Sequence, residues 1–289
     1  MTIASLDRTE AARAKALAWI GQGPKRLLID GQWVDAASGK TFEILNPATD
    51  ELLCQVSEAD SADVDAAVAG ARKAFGAASW SGISPHARTR TLLAIADRIE
   101  ANIDEPAAIE SLDNGMPFGF AQAAVTATVD IFHYYAGWCS KVPGTTIPSD
   151  GSTLIYTLRE PLGVCGQIIP WNVPVLMAAI KFANGLCRGN TLIPKPAELA
   201  CLTSIRLAEL VQETDLPPGV TNVLPGCGPT AGGVWTKSLS TAHKVSEGIR
   251  SGTVWVNCYG VIDPAVGFGG TKMSGYGWKG GREHVESFL

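Results

Sequence analysis

Between residues 27 and 56 apolar and polar side chains alternate, the pattern of half-buried strands, with LLIDGQWV and TFEIL on either side of the turn-rich DAASGK. The apolar period then lengthens. DVDAAVAGARKAF and ARTRTLLAIADRIEANI predict two helices, the first capped by Asp60 or Ser61 and the second started by Ser84 and Pro85. A third helical stretch runs roughly from Phe120 to Ser140. PGTTIPSDG is turn material, and STLIYTLREPLG after it predicts an exposed strand.

The pattern is clearest over residues 163–225. GVCGQIIP is a short apolar run that suits a buried parallel strand. Pro174 stands where a first helical turn begins. Val175, Leu176, Ala179, Ile180, Ala183 and Leu186 follow at helical spacing, and Gly189 closes the segment. TLIP is a second strand, LACLTSIRLAELVQETDL a second helix stopped by Pro217-Pro218-Gly219, and VTNVL a third strand. The order β-α-β-α-β implies an α/β fold with a parallel sheet and right-handed crossovers. After Gly233 the order changes. VWTKSL and TVWVNCYG predict strands, STAHKVSEGIRSG a helix, and VGFGGTKMSGYGWKGG a Gly-rich loop.

Composition narrows the function classes. A chain of 289 residues suggests about two domains, and 46% apolar residues allow a sizeable core. The net charge of −5, with no Lys/Arg cluster, argues against a nucleic-acid partner. No apolar run is long enough for a membrane helix, and MTIASLDRTEAARAKALAWI lacks the apolar stretch of a secretory signal. The seven cysteines (Cys54, Cys139, Cys165, Cys187, Cys201, Cys227 and Cys258) are odd in number, scattered, and free of any C-x-x-C. They read as small buried hydrophobes in a reducing, cytoplasmic setting. His86, His133, His243 and His284 show no metal spacing, so no metal is expected.

Candidate chemistry follows from placement. In open parallel sheets ligands bind beyond the carboxyl ends of the strands. IIPWNVP lies at such a place, and Asn172 there carries an amide that either donates to a ligand or caps the following helix. In KPAE, after the second strand, Lys195 and Glu198 are suited to ribose hydroxyls or phosphate, or else form a weak exposed ion pair. GYGWKG, residues 275–280, matches G-x-G-x-x-G but is a decoy. No strand precedes it, and no acidic residue follows at the required distance.

GVCGQIIPWNVP, KPAE and LPPGVTNVLPGCGPTAG, in that order, closely resemble the NAD(P)-dependent aldehyde dehydrogenase superfamily. The resemblance extends back through LDNGMPF and NPATDELL and resumes in VWTKSLSTAHKVSEGIRSGTVWVNCYG and FGGTKMSGYG. It implies an aldehyde-dehydrogenase-like fold with a partial Rossmann-type sheet, helices on both faces, and a remnant of the catalytic domain. Residues 1–142 would then form the N-terminal part of the cofactor-binding domain, 143–161 an oligomerisation strand or hairpin, 162–233 its Rossmann-like half, and 234–289 the remnant. By the same resemblance Asn172 is the oxyanion donor. Ile168, Ile169, Pro170 and Trp171 form the wall against the cofactor, with Trp171 also near the substrate. Lys195 and Glu198 contact the adenosine ribose, Gly228 and Pro229 lie beside the adenine, and Phe268 stands at the substrate entrance. The cofactor implied is NAD rather than NADP, the substrate an aldehyde, and the family assembly a homo-oligomer, which is doubtful for this chain.

Between the GPTAG loop and the VWTK strand the family carries a long segment. It holds the F-T-G-S-T turn, the E-L-G-G-K motif with the catalytic base, the reactive cysteine and a second ribose glutamate. This sequence passes directly from Gly233 to Val234, as if internally deleted, and the family's last strand after VESFL is missing too. None of the remaining cysteines has a setting that favours a thiolate. The chain as it stands is therefore expected to be inactive. Two readings remain open: an enzyme whose locus encodes the missing segment, and a remnant that binds nucleotide or pairs with intact subunits. VTNVL is expected to be an unpaired edge or to pair with VWTKSL or TVWVN, and residues 234–289 to be the least protected part of an unstable chain.

Overall fold

The computed structural model describes residues 3–226 and, beyond them, four two-residue strands. The chain divides into two compact units, Met1–Cys227 and Gly228–Leu289.

The first unit opens with helix α1 (Ile3–Ile20), an element the periodicity did not suggest. Its buried stripe of Ala12, Ala16, Trp19 and Ile20 is half alanine, so it contrasts little with the rest of the helix. LLIDGQWV, expected as β structure, is a hairpin of β1 (Leu27–Ile29) and β2 (Gln32–Val34). Asp30 and Gly31 both take positive φ, 47° and 81°, as a tight Asp-Gly turn requires. β3 (Thr41–Leu45) and β4 (Leu52–Ser57) form a second antiparallel pair. Helix α2 (Ser61–Gly76) starts from a capping box. Asp60 accepts from the backbone of Ala62 and Asp63, and the Asp63 side chain accepts from the Asp60 N–H. Helix α3 (Pro85–Glu100) is capped by Ser84 with Pro85 in its first turn. Helix α4 (Asp104–Asn114), also unforeseen, ends at Gly115 in the left-handed conformation. Helix α5 (Phe118–Ala136) follows. The exposed strand expected in STLIYTLREPLG shrinks to a two-residue rung, β5 (Thr146–Ile147) with β6 (Ile155–Tyr156).

Strand β7 (Val164–Ile168), helix α6 (Pro174–Cys187), strand β8 (Thr191–Lys195) and helix α7 (Leu202–Gln212) give the expected β-α-β-α order, with β7 and β8 parallel. Two expectations fail here. β7 is not buried: its residues are exposed or half-buried, because among the described residues it pairs with β8 alone and so forms an edge of the sheet. Cys165 on it is likewise only half-buried. Nor is VTNVL an edge. Leu192 bridges to Thr221 in parallel, and Val223 exchanges two hydrogen bonds of 2.9 and 3.0 Å with Leu28 of β1, antiparallel. The N-terminal hairpin occupies the position that was expected to be vacant, so the sheet is mixed rather than purely parallel.

Period two then sorts the sheet's side chains into layers. Leu27, Ile193 and Leu224 pack on one face with Ala67 and Ala71 of α2. Leu28, Leu192 and Val223 point the other way, into the larger core with Val175, Phe182 and Leu186 of α6 and Ile205 and Leu207 of α7. Burial of α6 is also shifted from the expected stripe. Ala178 and Phe182 are buried, whereas Leu176 and Ile180 are only half-buried. Gly185 lets α6 sit close on β8, since a Cβ there would lie 2.4 Å from Leu192 Cδ2.

In the second unit β9 (Gly233–Val234) pairs in parallel with β10 (Trp255–Val256), and β11 (Phe268–Gly269) pairs antiparallel with β12 (Trp278–Lys279). The helix expected in STAHKVSEGIRSG lies outside the described residues. Among the described residues no helix is long and apolar enough to cross a membrane, and no cluster of His, Cys, Asp or Glu could hold a metal ion.

Candidate cofactor site at the strand ends

The parallel register brings the first site residues together. Ile168, the last residue of β7, stands directly beside Lys195, the last of β8, and the Ile169 N–H donates to the Lys195 carbonyl at 2.9 Å. Three residues on, the Glu198 carboxylate accepts from Lys195 Nζ at 3.2 Å. Both side chains are mostly covered, 29% and 27% exposed, so the pair is more sheltered than a free surface ion pair. It still opens on solvent beside Ile168, which is 67% exposed, and Leu199, 69% exposed. Ile169 is buried beneath them, and Pro170 is exposed.

The loop between β7 and α6 carries Trp171 and Asn172. Asn172 does not cap α6. The N-cap position is Val173, which makes no side-chain cap, and the Asn172 amide is exposed without a partner among the described residues. Its donors are free to meet a ligand. The loop is tied down one residue earlier, where Asn114 Nδ2 donates to the Trp171 carbonyl at 2.6 Å.

Asn114 belongs to a cluster that the sequence reading missed. Glu110 and Asp113, one turn apart on α4, are buried and face the starts of α6 and α7. Glu110 accepts from the Val175 N–H at 3.3 Å and from the Thr203 hydroxyl. Asp113 accepts from the Leu202 N–H at 2.8 Å, and its second oxygen has no partner. Burial pushes Asp113 up to about 8, helped by the Glu110 charge and opposed by the Leu202 N–H. Burial likewise raises Glu110 to about 7, against the pull of Thr203 and the Val175 N–H. The only local signal was a pair of acids three apart, ESLDN, just before a helix-ending glycine.

The described thiols offer no nucleophile. Burial raises Cys54 and Cys187 to about 11, and it also raises Cys139, Cys165 and Cys201. Cys227, Gly228 and Pro229 lie outside the described residues, as does Cys258. Phe268 is placed in β11 of the second unit, paired with Lys279 of β12. Trp278 and Lys279 of GYGWKG form β12, so the end of that motif is a strand rather than the helix start a phosphate-binding loop needs.

Residues 33–233 and 230–289 match the Aldehyde dehydrogenase family. This chain belongs to that family. A putative aldehyde dehydrogenase, DhaS, of Bacillus subtilis (strain 168) is 47% identical over 212 residues, covering 73% of this chain and 43% of that protein. The mitochondrial aldehyde dehydrogenase of Leishmania tarentolae is 47% identical over 252 residues, 83% of this chain and 50% of its own. Among solved structures, the NAD+ complex of an aldehyde dehydrogenase from Bacillus cereus superposes with a TM-score of 0.73 at 38% identity, over 81% of this chain and 50% of that one. The chain spans half or less of the length of these aldehyde dehydrogenases.

Proposed function

We propose that this chain is an aldehyde dehydrogenase family member that keeps the adenosine half of an NAD site and one oxyanion donor but does not itself oxidise aldehydes. The observation that carries this reading is the junction at residues 230–233. The family match breaks there into two blocks, and GPTAGG runs directly into VWTKSL. The segment expected between them would supply the nucleophilic cysteine and the general base. Loss of a nucleophile costs on the order of a millionfold in rate.

The strand-end residues fit the ribose of a nucleotide. Glu198 accepts from a ribose hydroxyl and Lys195 donates to one, each giving up part of the pairing they make with one another at 3.2 Å. Ile168 and Trp171, both exposed, offer apolar cover. Asn172 holds its amide ready for a developing oxyanion. NAD, when bound, supplies a hydride acceptor. NADP is disfavoured because its 2′-phosphate meets the Glu198 carboxylate, an effect Lys195 partly offsets. The five described cysteines are unpaired, which supports a reducing compartment, in our reading the cytoplasm.

The test mixes purified chain, NAD and a panel of aliphatic and aromatic aldehydes and follows NADH absorbance. No turnover above the protein-free control is expected. Turnover that disappears on mutating one of the remaining cysteines would overturn the reading. Calorimetric titrations should give AMP and NAD similar affinities, both lost in Lys195→Gln/Glu198→Gln, and much tighter NAD binding would reveal a nicotinamide site. Sequencing the locus across the Gly233 codon separates the two origins of the chain. If the missing segment is encoded there, inertness belongs to the shortened form alone.

A further inference from the structure

A cavity of about 760 Å³ opens among the start of α3, the segments after α5 and α6, and the stretch that leads into β7. That volume lies within the range of small-molecule sites. Arg88, Lys141, Arg159 and Arg188 line it, with Glu160 as the one carboxylate. None of the four cations pairs with a carboxylate among the described residues. Arg88 is anchored through Nη1, which donates to the Ile83 carbonyl at 3.0 Å, while its Nε is buried without a partner. Gly189 closes over it: a Cβ there would meet Arg88 Nη1 at 3.5 Å and Pro161 Cγ at 3.6 Å.

A competing explanation is that these cations serve the negative ends of α5 and α6, both of which terminate at this cavity. Each helix end carries about half a negative charge. Four cations against one carboxylate leave three positive charges, and the two helix ends remove about one, so about two remain uncompensated. A solvated face accounts for the exposed Lys141, Arg159 and Arg188. It does not account for Arg88, a half-buried guanidinium in the cavity wall that has no carboxylate partner among the described residues. A concave site also focuses the field of its walls more than a flat surface does.

We propose that this cavity binds a small multivalent oxyanion, a di- or triphosphate group or a polycarboxylate, with Arg88 as the anchor and Lys141, Arg159 and Arg188 closing around it. It shares no lining residue with the Lys195–Glu198 site, so the proposal stands or falls independently of the NAD reading.

Calorimetric titration of the full chain with pyrophosphate and with citrate tests it. At least one of the two should bind, more weakly as ionic strength is raised. Arg159→Gln/Arg188→Gln, a change at exposed positions, should weaken binding about tenfold or more. Glu160→Gln should tighten it a few-fold, a gain that damage to the fold would not produce. Tighter pyrophosphate points to phosphates and tighter citrate to polycarboxylates, and both outcomes support an oxyanion site. The proposal fails if neither anion binds at millimolar concentration, or if these variants leave the affinity unchanged. It also fails if binding is lost in Lys195→Gln/Glu198→Gln, which would place the anion at the strand ends instead.

Discussion

Four helices of the first unit have their N-termini held in two different ways. α2 and α3 are capped by residues that immediately precede them, Asp60 and Ser84, at the surface. α6 and α7 have Val173 and Cys201 at the same position, neither with a side-chain cap. Their free N–H groups are met instead by Glu110 and Asp113 of α4, 65 and 89 positions away in the chain. A local cap stabilises one helix. A remote, buried cap ties three elements together, and here the loop bearing Asn172 lies among them. Water can replace a lost surface cap but cannot reach the interior, so the two kinds should respond differently to the same substitution.

The sharpest test is Asp113→Ala. It strands the Leu202 N–H in the interior and leaves a hole, at a cost of about 3 kcal/mol. In a unit of this size the melting temperature should fall by roughly 6–12 °C. A loss no greater than that of a surface cap would erase the distinction.

Next comes pH. The folded-state values of about 8 for Asp113 and about 7 for Glu110 lie above those of free carboxyls, so the folded state holds these protons longer. The neutral acids stabilise most fully below pH about 4, and that contribution drains away as pH rises through 7 and 8. Between pH 6 and 8.5 stability should drop, on the order of 4 kcal/mol. Thermal melts across this interval should show the slope in the native chain and its absence in Glu110→Gln/Asp113→Asn. A slope that survives both substitutions would assign it to other groups.

Asp60→Ala removes the local cap of α2 and should cost about 1 kcal/mol, or about 2–4 °C in melting temperature. Smallest in stability is Asn114→Ala, under ~1 kcal/mol. Its mark is the fluorescence of Trp171, whose loop loses its tether. The change should be absent in a Trp171→Phe background, and if it persists there, Asn114 acts elsewhere.

The same contrast explains what could be read from the sequence. Asp60 and Ser84-Pro85 announce their helices because cap and helix are neighbours. Ile168, Lys195 and Glu198 were legible as strand-end residues because β-α-β order dictates where parallel strands end. Glu110 and Asp113 were not, since a side chain that caps a helix tens of residues away leaves no mark beside it. The pairing of Val223 with Leu28 was hidden for the same reason. The Asp30-Gly31 turn differs: its signal was local and strong, and it was passed over within an apolar run. For α1, alanines on the buried face left too little contrast for periodicity to register.

The Val223–Leu28 pairing also sets a clock. During synthesis Leu28 appears roughly 200 residues before its partner, on the order of 10–40 s at ordinary ribosomal rates. The β1–β2 hairpin can form in about 1–10 μs. A nascent chain therefore carries an open hairpin edge throughout the synthesis of the residues in between. That edge is only three residues long, from Leu27 to Ile29, which leaves little template for a neighbouring chain to extend. The first unit can close only after residues 220–224 have left the ribosome, so stalling anywhere before Val223 would release a chain with its sheet unsealed.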